Sequence, residues 1–547
     1  MSTIATLVHD RADDDSAGLL FEDQAWTWRE LVAECATRAA WWSSLVVDGP
    51  PHIGLLLENV PDFAMWLGAA AVTGATVVGI NPTRRGDELA ADIRYTKCQI
   101  VITEPSLVGL LDGLDLGAAT DRVFSVDSES YQDQLAAHRG SPLPANHVDP
   151  ATQFLLLFTS GTTGGRPKAV IRSHGRMHFV AANLAGAQSL TSDDVVYGSM
   201  PLFHSNALMT AWAPSLISGA ALALRRTFSA SQFLTDVRRF GATYFNYVGK
   251  PLAYILATPE APDDTDNPLT RGFGNEGNET DLHAFERRFG CPLTDGYGQT
   301  ETGASIGRVP GTPAGALGMG PPGTVVLDSE SGAEKPRASF DDSGRLLNAD
   351  AATGEIVNTG VSMFEGYWDN DEANAERLRN GWYWTGDLGY RDENGYFYFA
   401  GRSTDWLRVD GENFAAAPVE RVLMRHPDVI LAAVYGVPDA EAGDRLMAAL
   451  QLTPGSVFDP AAFAAFLTEQ SDLGPKAAPT FVRVVEDFPM THTNKVLKRL
   501  LVTDRWQTSD LQWWRSARDP EYRAFTPDDQ ASWEARIVAS GRAALLT

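Results

Sequence analysis

The sequence predicts an α/β protein. A large N-terminal domain of layered, mostly parallel sheets with helices carries a small β-rich element, and a small α+β domain follows it. Three observations support this. Through the first 400 residues, apolar runs of strand length alternate with amphipathic helical patterns, the mark of parallel sheets crossed by helices. After residue 330, short strands separated by turn signals replace that alternation. After Gly401 the texture changes again, to a compact helix and strand mixture of domain size. At about 150 residues per domain, 547 residues make about three to four domain-sized units, more than one hydrophobic core organises.

The elements follow in order. HIGLLL, ATVVGI and QIVITE read as buried strands, and PDFAMWLGAAA and GDELAADIRYT as the helices between them. QFLLLF is a further strand. EIVNTG, WYWTGD and DENGYFYFAG form the β-rich element. Beyond it, AAPVERVLMRHP and PAAFAAFLTEQ are helical, with strands ILAAVYGVPD and RLMAALQLT between them. The expected boundary gives domains 1–402 and 403–547, the second ending in a C-terminal tail after about residue 500. No period of 20–50 residues recurs, so a solenoid is not expected.

Composition narrows the function classes. Apolar residues at 44% and charged residues at 21% match globular usage, which argues against disorder and fibrous repeats. A net charge of −26 with no basic stripe repels nucleic acid. Any polyanionic substrate then needs a local pocket of cations and backbone N–H groups. Cys35, Cys98 and Cys291 are too few and too scattered for a disulfide framework or a cysteine zinc site, which fits a reducing cytoplasm. The first 15 residues lack a basic segment and an apolar core, so no secretory signal is expected. Two uncharged stretches, 63–80 and 203–224, are long enough to span a bilayer. Internal glycines make each read instead as a buried helix, a glycine turn and a strand. Peripheral membrane contact stays open.

The most informative segment is 158–170, FTSGTTGGRPKAV, placed after the strand QFLLLF. Thr159, Ser160, Gly161, Thr162, Thr163 and Gly164 alternate hydroxyls with glycines, and Lys168 closes the run. Glycines let a backbone approach an anion closely, while hydroxyls and N–H groups donate to phosphate oxygens. It is not a Walker loop, because Arg166-Pro167 stands where a glycine would precede the lysine. A flexible linker would not sit between a buried strand and the apolar resumption AVI.

TSGTTGGRPK closely resembles the phosphate loop of the adenylate-forming superfamily of acyl-CoA synthetases, luciferases and peptide-synthetase adenylation domains. Further segments resemble that family's motifs in the family's order. DGYGQTE (295–301) looks like its adenine and metal motif, and YWTGD (383–387) like its ribose motif. GRSTDWLRVDGENFAAAPVE (401–420) looks like its hinge, and PMTHTNKVLKRL (489–500) like its C-terminal lysine motif. The resemblance covers roughly residues 20 to 500.

It implies ATP, Mg²⁺ and CoA as cofactors and roles for particular residues. Asp295, Tyr297 and Gly298 would hold adenine, with Tyr297 offering a flat face. Thr300 would offer a hydroxyl to phosphate and Glu301 a carboxylate oxygen to Mg²⁺. Asp387 would accept the ribose hydroxyls, Arg402 would bind ribose or α-phosphate, and Gly411 lies in the hinge segment near the nucleotide. Taken alone, Asp387 also reads as a turn residue, and Arg402 reads more as a surface arginine than as a ligand. Lys495 is selected as the catalytic lysine only by the resemblance, since by composition Lys498 serves equally well. The small domain is expected to be a mobile lid swivelling near Thr404.

The chain also departs from the family. The small-residue adenine loop is replaced by Gly274-Asn275-Glu276-Gly277-Asn278, so Glu276 and Gly277 take its place. Residues 272–277 match GxGxxG literally, but no apolar strand precedes them, so a dinucleotide fingerprint is not supported. Asn494 stands where the family has glycine, Ala169 follows Lys168, and Thr404 occupies the hinge position.

The reaction implied is activation of a carboxylic acid as acyl-AMP with release of pyrophosphate, then displacement of AMP by the thiol of CoA. WLRVDGENFAAAPVE and LQWWRSARDPEYRAFTPDD resemble very-long-chain, bile-acid and steroid-side-chain CoA ligases. The acid is expected to meet residues 200–210 and 244–249. His204, Asn206, Tyr247 and Gly249, with Gly303, are the candidates, and each reads equally as core. His204 is an alternative gate for CoA. Other classes remain open: a ligase loading a carrier-protein thiol, an amino-acid adenylating enzyme, and a non-enzymatic nucleotide-binding scaffold. The hinge shows no insertion of the carrier-loading kind, NYVGKP has no acid for an α-amine, and Lys495 and Glu301 are present. Monomer and homodimer are both compatible with the sequence.

Overall fold

The computed structural model of the chain describes residues 2–145, 147–159, 168–277, 279–342, 344, 346–402, 406–409, 412–440, 444–470, 473, 477–490, 496–516 and 521–546, with backbone alone at 402, 406–409, 412–415 and 544–545. These residues form two compact units. One comprises Met1–Gly277, Leu282–Thr302 and Met363–Glu376, and the other Asn278–Asp281, Gly303–Ser362 and Arg377–Thr547.

The first unit holds two sheets. One runs Val123–Ser125, Ile100–Thr103, His52–Leu56, Thr76–Gly79, Gln153–Phe158, Ala169–Ser173. Every neighbour in it is parallel except the last pair. The other runs, within this unit, Leu293–Gly298, Arg271–Asn275, Tyr244–Val248, Val195–Gly198, Ala221–Leu224, Ala17–Phe21, Gln24–Thr27, antiparallel only at the final hairpin. His52–Leu56, Thr76–Gly79 and Ile100–Thr103 are buried at every residue, as parallel strands covered on both faces must be. One apolar cluster joins Leu55, Val77 and Leu155 of the first sheet to Val196, Leu222 and Tyr244 of the second, so the core lies between the sheets.

Local signals place the helices. Thr27 and Glu30 close a capping box at the start of Trp28–Leu45, satisfying two orphan N–H groups. Pro61 opens Pro61–Thr73, and Gly74 ends it in the left-handed conformation before strand Thr76–Gly79 begins. The second uncharged stretch resolves the same way, as helix Ala213–Ser218, Gly219 and strand Ala221–Leu224. Among the described residues no helix is long and apolar enough to cross a membrane.

His174, the first residue of helix His174–Ala187, is completely buried against the Phe154 ring, 4.7 Å away between centroids. Among the described residues neither ring nitrogen has a hydrogen-bond partner, and burial lowers its pKa to about 4. The folded chain therefore keeps this imidazole neutral, while the unfolded chain protonates it below about pH 6.5. Stability is unaffected by this group above that pH and falls as pH drops from about 6.5 towards 4. The loss reaches about 2 kcal/mol at pH 5. Urea unfolding at pH 7 and pH 5 should show the wild type losing about 2 kcal/mol more than His174→Leu. Equal losses in the two proteins would overturn this.

The second unit contains the β-rich element. Strand Trp382–Arg391 is its centre, flanked antiparallel by Gly354–Asn358, Leu378–Arg379 and Phe397–Arg402, with Thr324–Leu327 beyond Gly354–Asn358. A hairpin of Trp406–Val409 and Glu412–Ala415 follows. The last sheet runs Val429–Pro438, Asp444–Leu452, Phe481–Val485, Leu511–Trp514, Arg523–Ala524. One face packs on helices Ala416–Leu423 and Pro460–Glu469 through Val419, Leu423, Phe463 and Leu467. The other packs on Trp506, Trp533 and Ile537. Residues beyond 500 thus supply two strands and the covering helix Pro527–Ala539 of this sheet.

Candidate active site

Gln153–Phe158 and Ala169–Ser173 are an antiparallel pair. The Thr159 N–H donates to the Lys168 carbonyl at 3.0 Å. Ser160, Gly161, Thr162, Thr163 and Gly164 lie outside the described residues. Lys168 Nζ sits 2.9 Å from Glu376 Oε2 and 5.6 Å from the centre of the Tyr367 ring. An ion pair this exposed is worth little, so a triphosphate can compete for the lysine.

The adenine segment is built differently from the sequence expectation. The glycine-rich run is itself a strand, Arg271–Asn275, between Tyr244–Val248 and Leu293–Gly298. Gly274 leaves room for an aromatic ring: a Cβ there would come within 2.5 Å of Tyr247. Gly249 likewise lies directly under the Glu276 carbonyl, with no space for a side chain. Glu276 turns the chain with φ 65°. Asp295 Oδ2 accepts from the Gly277 N–H at 2.9 Å and from the Tyr247 hydroxyl at 3.2 Å. Asp295 therefore ties the adenine loop to its own strand. Tyr247 faces this loop, with its hydroxyl on the Thr294 carbonyl and Asp295, on the opposite side of its strand from Tyr244 and Asn246. Tyr297 is half-buried at the end of the strand, and Gly298 is exposed.

Beyond that strand, Thr300 Oγ1 lies 3.0 Å from Ser205 Oγ, and the buried Arg172 guanidinium donates to the Thr300 carbonyl. Glu301 is buried and accepts at Oε1 from the Tyr367 hydroxyl at 2.7 Å. Its Oε2 has no protein partner among the described residues, which fits a hard cation that takes one carboxylate and completes its shell with phosphate and water. No group of three or more His, Cys, Asp or Glu side chains able to hold a metal occurs among the described residues.

Residues 200–210 are the first of the two segments expected to meet the acid. His204 packs on Phe203 at 4.2 Å between ring centres. After it the chain winds into a π-turn at Leu208–Trp212, a distortion that recurs at functional sites. Asn206 is hydrogen-bonded on both sides of its carboxamide. Nδ2 donates to Asn275 Oδ1 at 3.0 Å, and Oδ1 accepts from Asn246 Nδ2 at 2.8 Å. The Tyr244 hydroxyl donates to the Thr210 carbonyl at 2.9 Å, and burial pushes its pKa up, so it stays protonated.

The second unit carries the remaining candidates. Asp387 is buried, its N–H donates to Thr385 Oγ1 at 3.0 Å, and its backbone pairs in register with Arg402. Gly303 lies beneath the Tyr383 ring, and its carbonyl accepts from Asn358 Nδ2 at 2.8 Å. Lys495, Thr404 and Gly411 lie outside the described residues. Met490 pairs with Val496, and the Leu497 N–H donates to the Pro489 carbonyl at 2.8 Å. Lys498 is committed to Glu420 at 2.7 Å, and that carboxylate also accepts from the Val434 N–H.

Sequence reasoning missed Tyr367 and Arg172, and it named the segments that hold Ser205, Asn246 and Asn275 without singling out those side chains. Only Tyr367 carried a signal, as the ring between two turn-forming runs in FEGYWDN. The others are ordinary side chains whose importance comes from which strand ends meet.

The sequence pattern of the AMP-binding enzyme family matches residues 8–368, and that of the AMP-binding enzyme C-terminal domain matches 418–495. The chain belongs to the AMP-binding enzyme family. This AMP-binding enzyme is 52% identical to the steroid-22-oyl-CoA synthetase of Rhodococcus jostii over 99% of its own length and 98% of that protein's. It is 47% identical to the medium/long-chain-fatty-acid–CoA ligase FadD17 of Mycobacterium tuberculosis, covering 93% of this chain and 98% of that one. Its fold is shared with an anthranilate CoA ligase solved with anthranoyl-AMP, at a TM-score of 0.81 and 22% identity, covering 91% of this chain and 96% of that one. The same holds for ATP-bound MatB of Rhodopseudomonas palustris, at 0.78 and 24%, covering 91% and 98%.

Proposed function

We propose that this enzyme activates a bulky, mostly apolar carboxylic acid, a long-chain fatty acid or a steroid side-chain acid, and joins it to CoA. The reaction is ATP-dependent acyl-CoA ligation. A carboxylate oxygen attacks the α-phosphorus of ATP, forming the acyl-AMP as the bond to the pyrophosphate oxygen breaks. The sulfur of CoA then attacks the acyl carbonyl, and AMP leaves. Bound Mg²⁺ supplies charge neutralisation on the triphosphate. Glu301 Oε2 would hold it, with Tyr367 fixing the carboxylate. The Thr300 hydroxyl and the 159–168 loop would donate to phosphate oxygens, Tyr297 would stack on the base, and Asp387 would take the ribose. Such chemistry needs little covalent help and much positioning. Lys495 would neutralise the two anions as they meet, and rotation of a lid beginning at 403 would then clear the thiol's path.

The contact between Ser205 and Thr300 carries this reading. It fastens the wall expected to meet the acid to the residue beside the Mg²⁺ carboxylate, which supports a carboxylate held next to the triphosphate. Residues 200–210 and 244–249 contain no Asp or Glu, and Asn206 and Asn246 are uncharged amides, which suits a neutral acyl body and gives an α-amine no counter-charge. The three cysteines are buried thiols, which supports a reducing cytoplasm. Pyrophosphate exchange should be measured across long-chain, steroid side-chain, short-chain and amino acids. The first two classes should exceed the others by about 10²-fold in kcat/KM. Preference for acetate or amino acids would refute the substrate class.

A further inference from the structure

Three asparagines form a directed chain through the wall that the acid is expected to meet. Asn246 Nδ2 donates to Asn206 Oδ1 at 2.8 Å, Asn206 Nδ2 donates to Asn275 Oδ1 at 3.0 Å, and Asn275 Nδ2 donates to the Gly296 carbonyl. Its direction is fixed chemically. A backbone carbonyl only accepts, so Asn275 must present its NH₂ to Gly296. Asn206 Nδ2 also reaches the Tyr247 carbonyl at 3.4 Å, which fixes its orientation in the same sense. Asn246 must then give its NH₂ to Asn206, and its Oδ1 is left at the head of the chain. That oxygen is fully buried, on a residue 1% exposed, and has no hydrogen-bond donor among the described residues.

Asn246 stands on the face of strand Tyr244–Val248 that also carries Tyr244 and Val248. That face packs into the apolar cluster containing Phe203, Leu208 and Met209, which belong to the wall itself. A carboxamide oxygen buried there without a donor is costly, and the chain forbids relief by rotating the amide. A leucine would leave no orphaned oxygen at this position, at the cost of the donor to Asn206 Oδ1.

We propose that Asn246 Oδ1 is a specificity acceptor. It receives a hydrogen bond from a hydroxyl carried on the apolar body of the acid, so the enzyme selects hydroxylated acids over their deoxy counterparts. This rests on the reading of residues 200–210 and 244–249 as the acid-binding wall. The other end of the chain lies on the adenine segment, so an acid that fills the acceptor also braces Asn275 and Gly296.

The test is pyrophosphate exchange with pairs of acids that differ only by one hydroxyl, drawn from steroid side-chain acids and long-chain hydroxy fatty acids. In the wild type, kcat/KM should favour the hydroxylated member of at least one pair by about 10- to 100-fold. In Asn246→Leu that ratio should fall to near one or invert, because the hydroxyl is then buried against carbon. The wild-type ratio needs no variant, so a misfolded variant does not spare the proposal. A wild-type ratio near one for every pair, as when a water serves the oxygen, overturns it. So does an unchanged ratio in a folded Asn246→Leu. Activation of neither member of any pair would overturn the substrate reading, and this inference with it.

Discussion

Lys495→Ala should lower acyl-AMP formation by about 10²–10³-fold, the loss that follows removal of a positioned charge donor from a transition state. Transfer from supplied acyl-AMP to CoA stays near the wild-type rate. The asymmetry arises because the cation is needed only while a carboxylate and a triphosphate, both anionic, are brought together. Thiol attack on an acyl phosphate has no such repulsion to offset. Lys498 gives the control. It is paired with Glu420, which also accepts from the Val434 backbone, so its charge is already committed. Lys498→Ala should chiefly reduce the stability of the second unit, read as a lower unfolding midpoint, with a much smaller fall in adenylation. Measuring the two half-reactions separately decides the matter. Equal loss in both for Lys495→Ala removes the assignment, and so does a larger adenylation loss in Lys498→Ala.

Glu301→Gln shifts the Mg²⁺ requirement of adenylation upward by about tenfold or more, because a hard cation loses the charged oxygen it prefers. Size and burial are kept, so the fold should hold. Tyr367→Phe removes the hydroxyl that donates to Oε1 and should shift the same titration in the same direction, about 10-fold, as loss of a ligand's supporting hydrogen bond does. Binding of preformed acyl-AMP, which carries no triphosphate, should change little in either variant. A Mg²⁺ titration of pyrophosphate exchange, set beside acyl-AMP binding, separates a metal role from a general structural one. An unaltered titration in Glu301→Gln would refute the carboxylate's role.

Much of the architecture was legible because its signals are local. The runs HIGLLL, ATVVGI and QIVITE became strands buried on both faces, since no other arrangement satisfies apolar side chains and backbone polar groups together. Glycines 74 and 219 ended two apolar helices before they could be membrane spans, because glycine alone accepts the left-handed turn without penalty. The glycine-rich strand Arg271–Asn275 escaped notice because its side chains carry no strand signal. It is a strand because Tyr247 needs the space above Gly274 and because both neighbouring strands supply ladder bonds.

By itself the sequence determined the α/β class, the order of the nucleotide-binding segments and the presence of Glu301 beside Thr300, since each is written in contiguous residues. Only the tertiary structure decided what those residues lean on. Tyr367 lies 66 positions from Glu301, Ser205 lies 95 from Thr300, and Asn246 reaches Asn206 across 40. These pairings come from strand register and from the burial of polar groups that must find partners. No pattern of spacing along the chain encodes a partner brought in by another strand.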